Sequence, residues 1–132
     1  MPSAPTLTLV IALACAGCGD TISSNHATRA AAKQDIERGW IPSALPDSAV
    51  NIRESHNLDA NSGHGTFAFS ASDAEKFRLS LTPISAQQPL RTGISASKFE
   101  RRGYMFYEHE DFDFAIDWNR RVGEFWLVYS RR

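Results

Sequence analysis

The stretch DFDFAIDWNRRVGEFWLVYS, residues 111–130, decides the fold. Phe112, Phe114, Ile116 and Trp118 alternate with Asp111, Asp113, Ala115 and Asp117, a period of two that sends successive side chains to opposite faces of a strand. One face is therefore aromatic and the other acidic. The acidic face reads as solvated, its like charges discouraging a second sheet from stacking there. NRRVG supplies a turn, and EFWLVYS, 124–130, returns as a strand that is apolar on both faces and so belongs at the centre of a sheet.

Working outward, GYMFYE at 103–108 adds another strand, and 10 of the 14 aromatic residues lie from Phe99 onward. AVNIRES at 49–55 and TFAFSA at 66–71 alternate in the same way, separated by the turn-forming DANSGHG at 59–65. Ser72 and Glu75 have the S-x-x-E spacing of a capping box, so a helix is expected to follow and to end before Pro83. RAAAKQDIER at 29–38, followed by Gly39 in a C-terminal cap position, reads as one short helix. Pro42 and Pro46 then make a rigid elbow, pinned by Trp40, Ile41 and Leu45. No period is found over 82–98. The expected architecture is α+β: a single antiparallel sheet of about five strands, a helix packed on one face, and a short N-terminal helix.

The chain has 132 residues, enough for one small domain. With 14 basic and 15 acidic residues it lacks the excess of Lys and Arg that a nucleic-acid partner requires.

The beginning of the chain carries an address. LTLVIALACA at 7–16 has the length of a signal-peptide apolar core and is too short to span a bilayer. ACAGCGD follows, with small Ala16 and Gly17 before Cys18, and resembles a lipobox, in which the cysteine takes a diacylglycerol and becomes the new N-terminus. Cys15 is the alternative processed residue. The division expected is a signal peptide at 1–17, a lipidated flexible tether at 18–28 and one domain at 29–132. Gly19 in place of Asp after Cys18 points, by analogy with other lipoproteins, to an outer-membrane protein facing the periplasm in a Gram-negative host. After Cys18 there is no cysteine, which removes disulfides, thiolate nucleophiles and Cys-ligated metals from the mature domain.

Chemistry is sparse. His56, Asp59 and His64 around the expected turn, with His109 near Glu108, Glu110, Asp111 and Asp113, are the residue types a divalent metal would use. Their spacing matches no metal motif, so no metal or other cofactor is assigned. Trp40, His56, Asp59 and His64 are the candidate ligand or partner contacts, and no residue is assigned a catalytic role.

The run ERGWIPSALPDSAVNIRESHNLDANSGHGTFAFS, 37–70, resembles the YbbD head domain family through Gly39, Trp40, Ile41, Pro42, Leu45, Pro46, Ser48, Ala49, Asn51, Ile52, Glu54, His56, Leu58, Asp59 and Asn61. The ending at 115–132 also looks similar to that family's last hairpin. The resemblance implies a compact α+β lipoprotein domain and transfers no catalytic residue. The expected function is a non-enzymatic binding or structural module, held to the membrane by its N-terminal lipid, with another envelope component as partner. A small-ligand or divalent-metal module using His56, Asp59 and His64 is the alternative, and a hydrolase the third reading.

Overall fold

The computed structural model describes residues 21–85, 90 and 94–128. The strands are β1 (Thr21–Thr28), β2 (Val50–Asn57), β3 (Ser62–Ala68), β4 (Thr82–Pro83), β5 (Met105–His109), β6 (Phe112–Asp117) and β7 (Val122–Leu127), and the helices are α1 (Lys33–Glu37), α2 (Ala74–Ser80) and α3 (Ser97–Glu100). All seven strands join one antiparallel sheet in the order β1-β2-β3-β7-β6-β5-β4. Strand β7 is central, as its two apolar faces require.

The sheet corrects the expected α+β class of about five strands. All five anticipated strands are present, yet the helices are only five, seven and four residues long, so the domain is mainly β. The two additional strands are β4, of two residues, and β1, which occupies most of the expected 18–28 tether. β1 pairs with β2 from Thr21↔Asn57 to Thr28↔Val50. Its sequence, TISSNHAT, shows no alternation because an edge strand with neither face deeply buried needs none.

Turn chemistry sets the registers. β5 and β6 are joined by the two residues Glu110 and Asp111, with Glu110 at φ 50°. The β2–β3 and β6–β7 loops share one design of four residues. In each, the side chain before the loop accepts backbone N–H groups: Asn57 Oδ1 from Ala60 at 2.8 Å, Asp117 Oδ1 from Asn119 and Arg120 at 3.0 Å. Each loop then closes on a left-handed residue, Asn61 at φ 50° and Arg121 at φ 58°. A bulge between Val50 and Arg53, with Asn51 also at φ 50°, shifts the β2–β3 register.

One face of the sheet is covered along most of its width. Phe67, Phe112, Phe114, Ile116, Phe125 and Ile52 meet Ile41, Leu45 and Ala49 from the elbow and Phe77 from α2. The expected capping box does not form. A 3-10 turn, 71–73, leads into α2, and Ser72 Oγ is hydrogen-bonded to Ser70 Oγ at 2.7 Å. The start of α2 is tied instead to the elbow: Ser48 N–H donates to Asp73 Oδ2 at 3.0 Å, and Ser70 N–H donates to Ser48 Oγ at 3.0 Å. Hydrogen bonding from the Ser48 side chain and backbone N–H holds the Asp73 carboxyl below its ordinary range.

The other face is closed only over β5–β7, where Phe99 of α3 meets Tyr104, Phe106 and Trp126 edge-on at 5.5, 6.3 and 5.4 Å. Strand β6 is thus buried on both sides. Asp113 and Asp117, expected on a solvated acidic face, are 0% and 5% exposed. Over β2 and β3 the same face is open, with Arg53 and His64 exposed.

Two aromatic–glycine pairs fasten the halves where β3 meets β7. Gly65 stands opposite Phe125, and Phe67 opposite Gly123. A Cβ on Gly65 would meet Phe125 and lie 2.6 Å from the Arg53 carbonyl, and one on Gly123 would lie 2.6 Å from Phe67 Cζ. Each glycine makes room for the ring across from it.

Candidate functional site

Strand alternation puts Ile52, Glu54 and His56 of β2 on the covered face, opposite His26, Ser24 and Ile22 of β1. The polar members are buried because α1 and the residues after it lie over them. Helix α1 ends in a Schellman motif: Gly39 at φ 84° donates its N–H to Ile36 O, and Trp40 N–H donates to Asp35 O, both at 3.0 Å. This fold-back brings two groups down onto the sheet. The Trp40 ring stacks on His56 at 3.9 Å and 7°, and the Asp35 carboxylate reaches β1.

A continuous network results. His56 Nδ1 lies 2.7 Å from Glu54 Oε1, and the other Glu54 oxygen lies 3.2 Å from Ser24 Oγ. Ser24 Oγ is also 3.1 Å from Asp35 Oδ2, which lies 2.9 Å from His26 Nε2. Ser24 has one proton for two carboxylates, and the pair resolves the shortage by separating their affinities for protons. Burial raises the Glu54 carboxyl above its ordinary range against the opposing bond from His56, and the Asp35 charge adds to the rise. Asp35 is also pushed up by burial, but His26, Ser24 and Arg38 outweigh it and leave it lowered. The Ser24 hydroxyl is the donor to either carboxylate, Glu54 Oε2 or Asp35 Oδ2.

The Glu54–His56 end of this network is sealed. Glu54 and His56 are 3% and 6% exposed, and among the described residues no buried side-chain polar atom lacks a hydrogen-bond partner. The network pins α1 and the elbow to the first two strands.

Of the sequence-derived candidates, the structure joins Trp40 to His56 and separates the rest. His56 pairs across β2–β3 with Gly63, and His64 with Ser55, so the two histidines point to opposite faces. His64 stacks on Trp126 at 5.3 Å and hydrogen-bonds Glu124 at 3.1 Å, while Asp59 is exposed in the loop. The strand pairing thus does not bring His56 and His64 together, and among the described residues no group of three or more His, Cys, Asp or Glu could hold a metal ion. Cys18 and Cys15 lie outside the described residues.

Glu54 was not among the candidates read from the sequence; the signal that could have found it is the inward period begun by Ile52, which Glu54 and His56 continue. Two hollows were not legible, because each is assembled from several elements. The first, about 350 Å³, opens between the elbow and α2 over an apolar floor of Leu45 and Phe77, with Arg29, Asp73, Lys76 and His109 around it. Arg29 holds the elbow there, donating from Nε to Leu45 O and from Nη2 to Ser43 O, both at 2.9 Å. The second, about 610 Å³, is an open groove on the uncovered face, lined by Arg53, Thr66, Arg102, Tyr104 and Glu124.

Among the described residues no helix is long and apolar enough to cross a membrane. No curated protein and no solved structure matches the chain. The resemblance read at 115–132 has no counterpart in the family comparison, whose match ends at residue 68. That match begins with β1 and ends with β3, the half of the sheet that carries the hydrogen-bond network. Residues 20–68 fit the model of the YbbD head domain, and it is this family that the chain resembles.

Proposed function

We propose that the chain is an exported, lipid-anchored envelope protein whose domain binds another envelope component and catalyses no reaction. The hollow between the elbow and α2 carries this reading. Its size is that of a small-ligand or side-chain pocket, and it combines an apolar floor with charges of both signs, the composition of a recognition site. The histidine and carboxylate groups of the hydrogen-bond network are occupied in holding α1 and the elbow. The lipobox-like ACAGC before β1 supports the envelope location, and Cys18 is the residue proposed to carry the lipid.

Location is tested by the intact mass of the protein extracted from host membranes. The expected product begins at Cys18 with acyl mass, and a Cys18→Ala variant loses both the mass and the membrane association; a soluble, unacylated wild type refutes the anchor. Binding is tested with a photoreactive side chain at Lys76, beside the hollow, or at Leu79, exposed elsewhere on α2. A discrete adduct in intact envelopes from position 76 and none from 79 supports the site. Equal labelling from both, or none, counts against it.

A further inference from the structure

The two edges of the sheet are built on opposite terms. β4 is two residues long, and one of them is Pro83, which has no N–H to offer a neighbour. β1 is eight residues long and contains no Pro, Lys, Arg, Asp or Glu. It pairs with β2 in one uninterrupted register, and among the described residues no strand lies along its outer side. Folded proteins ordinarily blunt such an edge with charge, proline, a bulge or a covering segment. β4 is blunted by its proline and by its shortness, whereas among the described residues nothing of the kind protects β1.

We propose that β1 is an interface whose occupant is β1 of a second copy, paired antiparallel about a two-fold axis perpendicular to the sheet. In such a pairing, residues directly opposite share a face, so the axis passes midway between a residue near the strand centre and its own copy. An axis at Ser24 sets Ser23 opposite Asn25 and Ile22 opposite His26. An axis at Asn25 sets the two Asn25 side chains together and Ile22 opposite Thr28. Neither register sets like charges opposite each other along the β1–β1 seam, because β1 has no Lys, Arg, Asp or Glu and its His26 lies opposite Ile22 or Ser24 of the other copy. Both also cover Ile22, which is 48% exposed in the single copy. The uncovered faces of the two copies then lie on the same side, bringing Arg53 and Ser55 of each toward a shared polar surface.

The test is sedimentation velocity of the full chain over a range of concentrations, combined with hydrogen exchange of the β1 amides. The wild type is expected to dimerise, with β1 amides that exchange more slowly as dimer accumulates. Ser23→Lys with Asn25→Lys sets lysines opposite each other in either register and should weaken the dimer by about tenfold or more. The β7 amides of this variant should stay as protected as in the wild type, which shows that the fold is intact. A synthetic peptide of residues 21–28 added to the wild type should compete for the edge and yield monomer, a result that needs no variant. A wild type that stays monomeric with fast-exchanging β1 amides overturns the proposal. So does a dimer indifferent to both the lysines and the peptide, or a monomer whose β1 is protected by a strand from another protein.

Discussion

The β1–β3 and β5–β7 regions are both antiparallel three-strand runs, but different forces hold them. In β5–β7, aromatic rings from both faces close on β6 until even its aspartates are buried. In β1–β3 the covered face carries Glu54, His56, Ser24 and His26, satisfied by hydrogen bonds to one another and to Asp35 of α1, and the other face is open. An aromatic core is non-directional and tolerates loose geometry in its neighbours, whereas a buried polar network holds only if each member is in place. The Schellman turn at Gly39 and the fixed elbow serve the second kind of construction.

The comparison can be broken most severely from the aromatic side. Phe114→Ala, at a fully buried position against Phe67, Phe77 and Phe112, should cost about 3–5 kcal/mol in chemical denaturation. Gly65→Ala, at the seam between the regions, should cost about 2–3 kcal/mol, because the new methyl meets the Phe125 ring and the Arg53 carbonyl.

The polar region should show itself through pH. Glu54 holds its proton more tightly folded than unfolded, so its contribution to stability is complete below the ordinary carboxylate range and is lost as pH rises through its raised value. Asp35 has the opposite sign, contributing above that range and losing its contribution as pH falls through its lowered value. Unfolding measured between about pH 3 and 8 should show Glu54→Gln removing the loss on rising pH, and Asp35→Asn flattening the acid limb. A Glu54→Gln profile parallel to wild type would show that the carboxyl titrates alike in both states.

The smallest effect sharpens the seam. Gly63 is two residues from Gly65 on the same face, yet a Cβ there meets only ordinary contacts, 3.5 Å to Leu127 and 3.6 Å to His56. Gly63→Ala should change stability by no more than about 0.5 kcal/mol, and in the stabilising direction if the unfolded chain loses freedom.

The sequence was legible wherever burial differs between the two faces of a strand. That condition holds for β2 and for the 66–68 end of β3, whose start at Ser62 lies in the stretch read as a turn, and the aromatic half of the β6 pattern reads correctly for the same reason. It fails for β1, whose polar side chains record neither an inner nor an outer face, and for β4, too short for any period. It also misleads at Asp113 and Asp117, since alternation shows which residues share a face and not what covers that face. The elbow and the Gly39 cap were readable because proline and glycine restrict or free the backbone locally. The hollow beside α2 was not, because Arg29, Leu45, Lys76 and His109 come from four separate parts of the chain.

Only Gly19 and Asp20 separate Cys18 from the first residue of β1. Three extended residues reach about 10 Å, whereas a flexible leash of eleven would wander over roughly 18 Å. A lipid on Cys18 would therefore keep the domain lying low on the bilayer, pivoting about one corner of its sheet. On that anchor, any partner of the domain would have to be at the headgroup layer already, or be brought down to it.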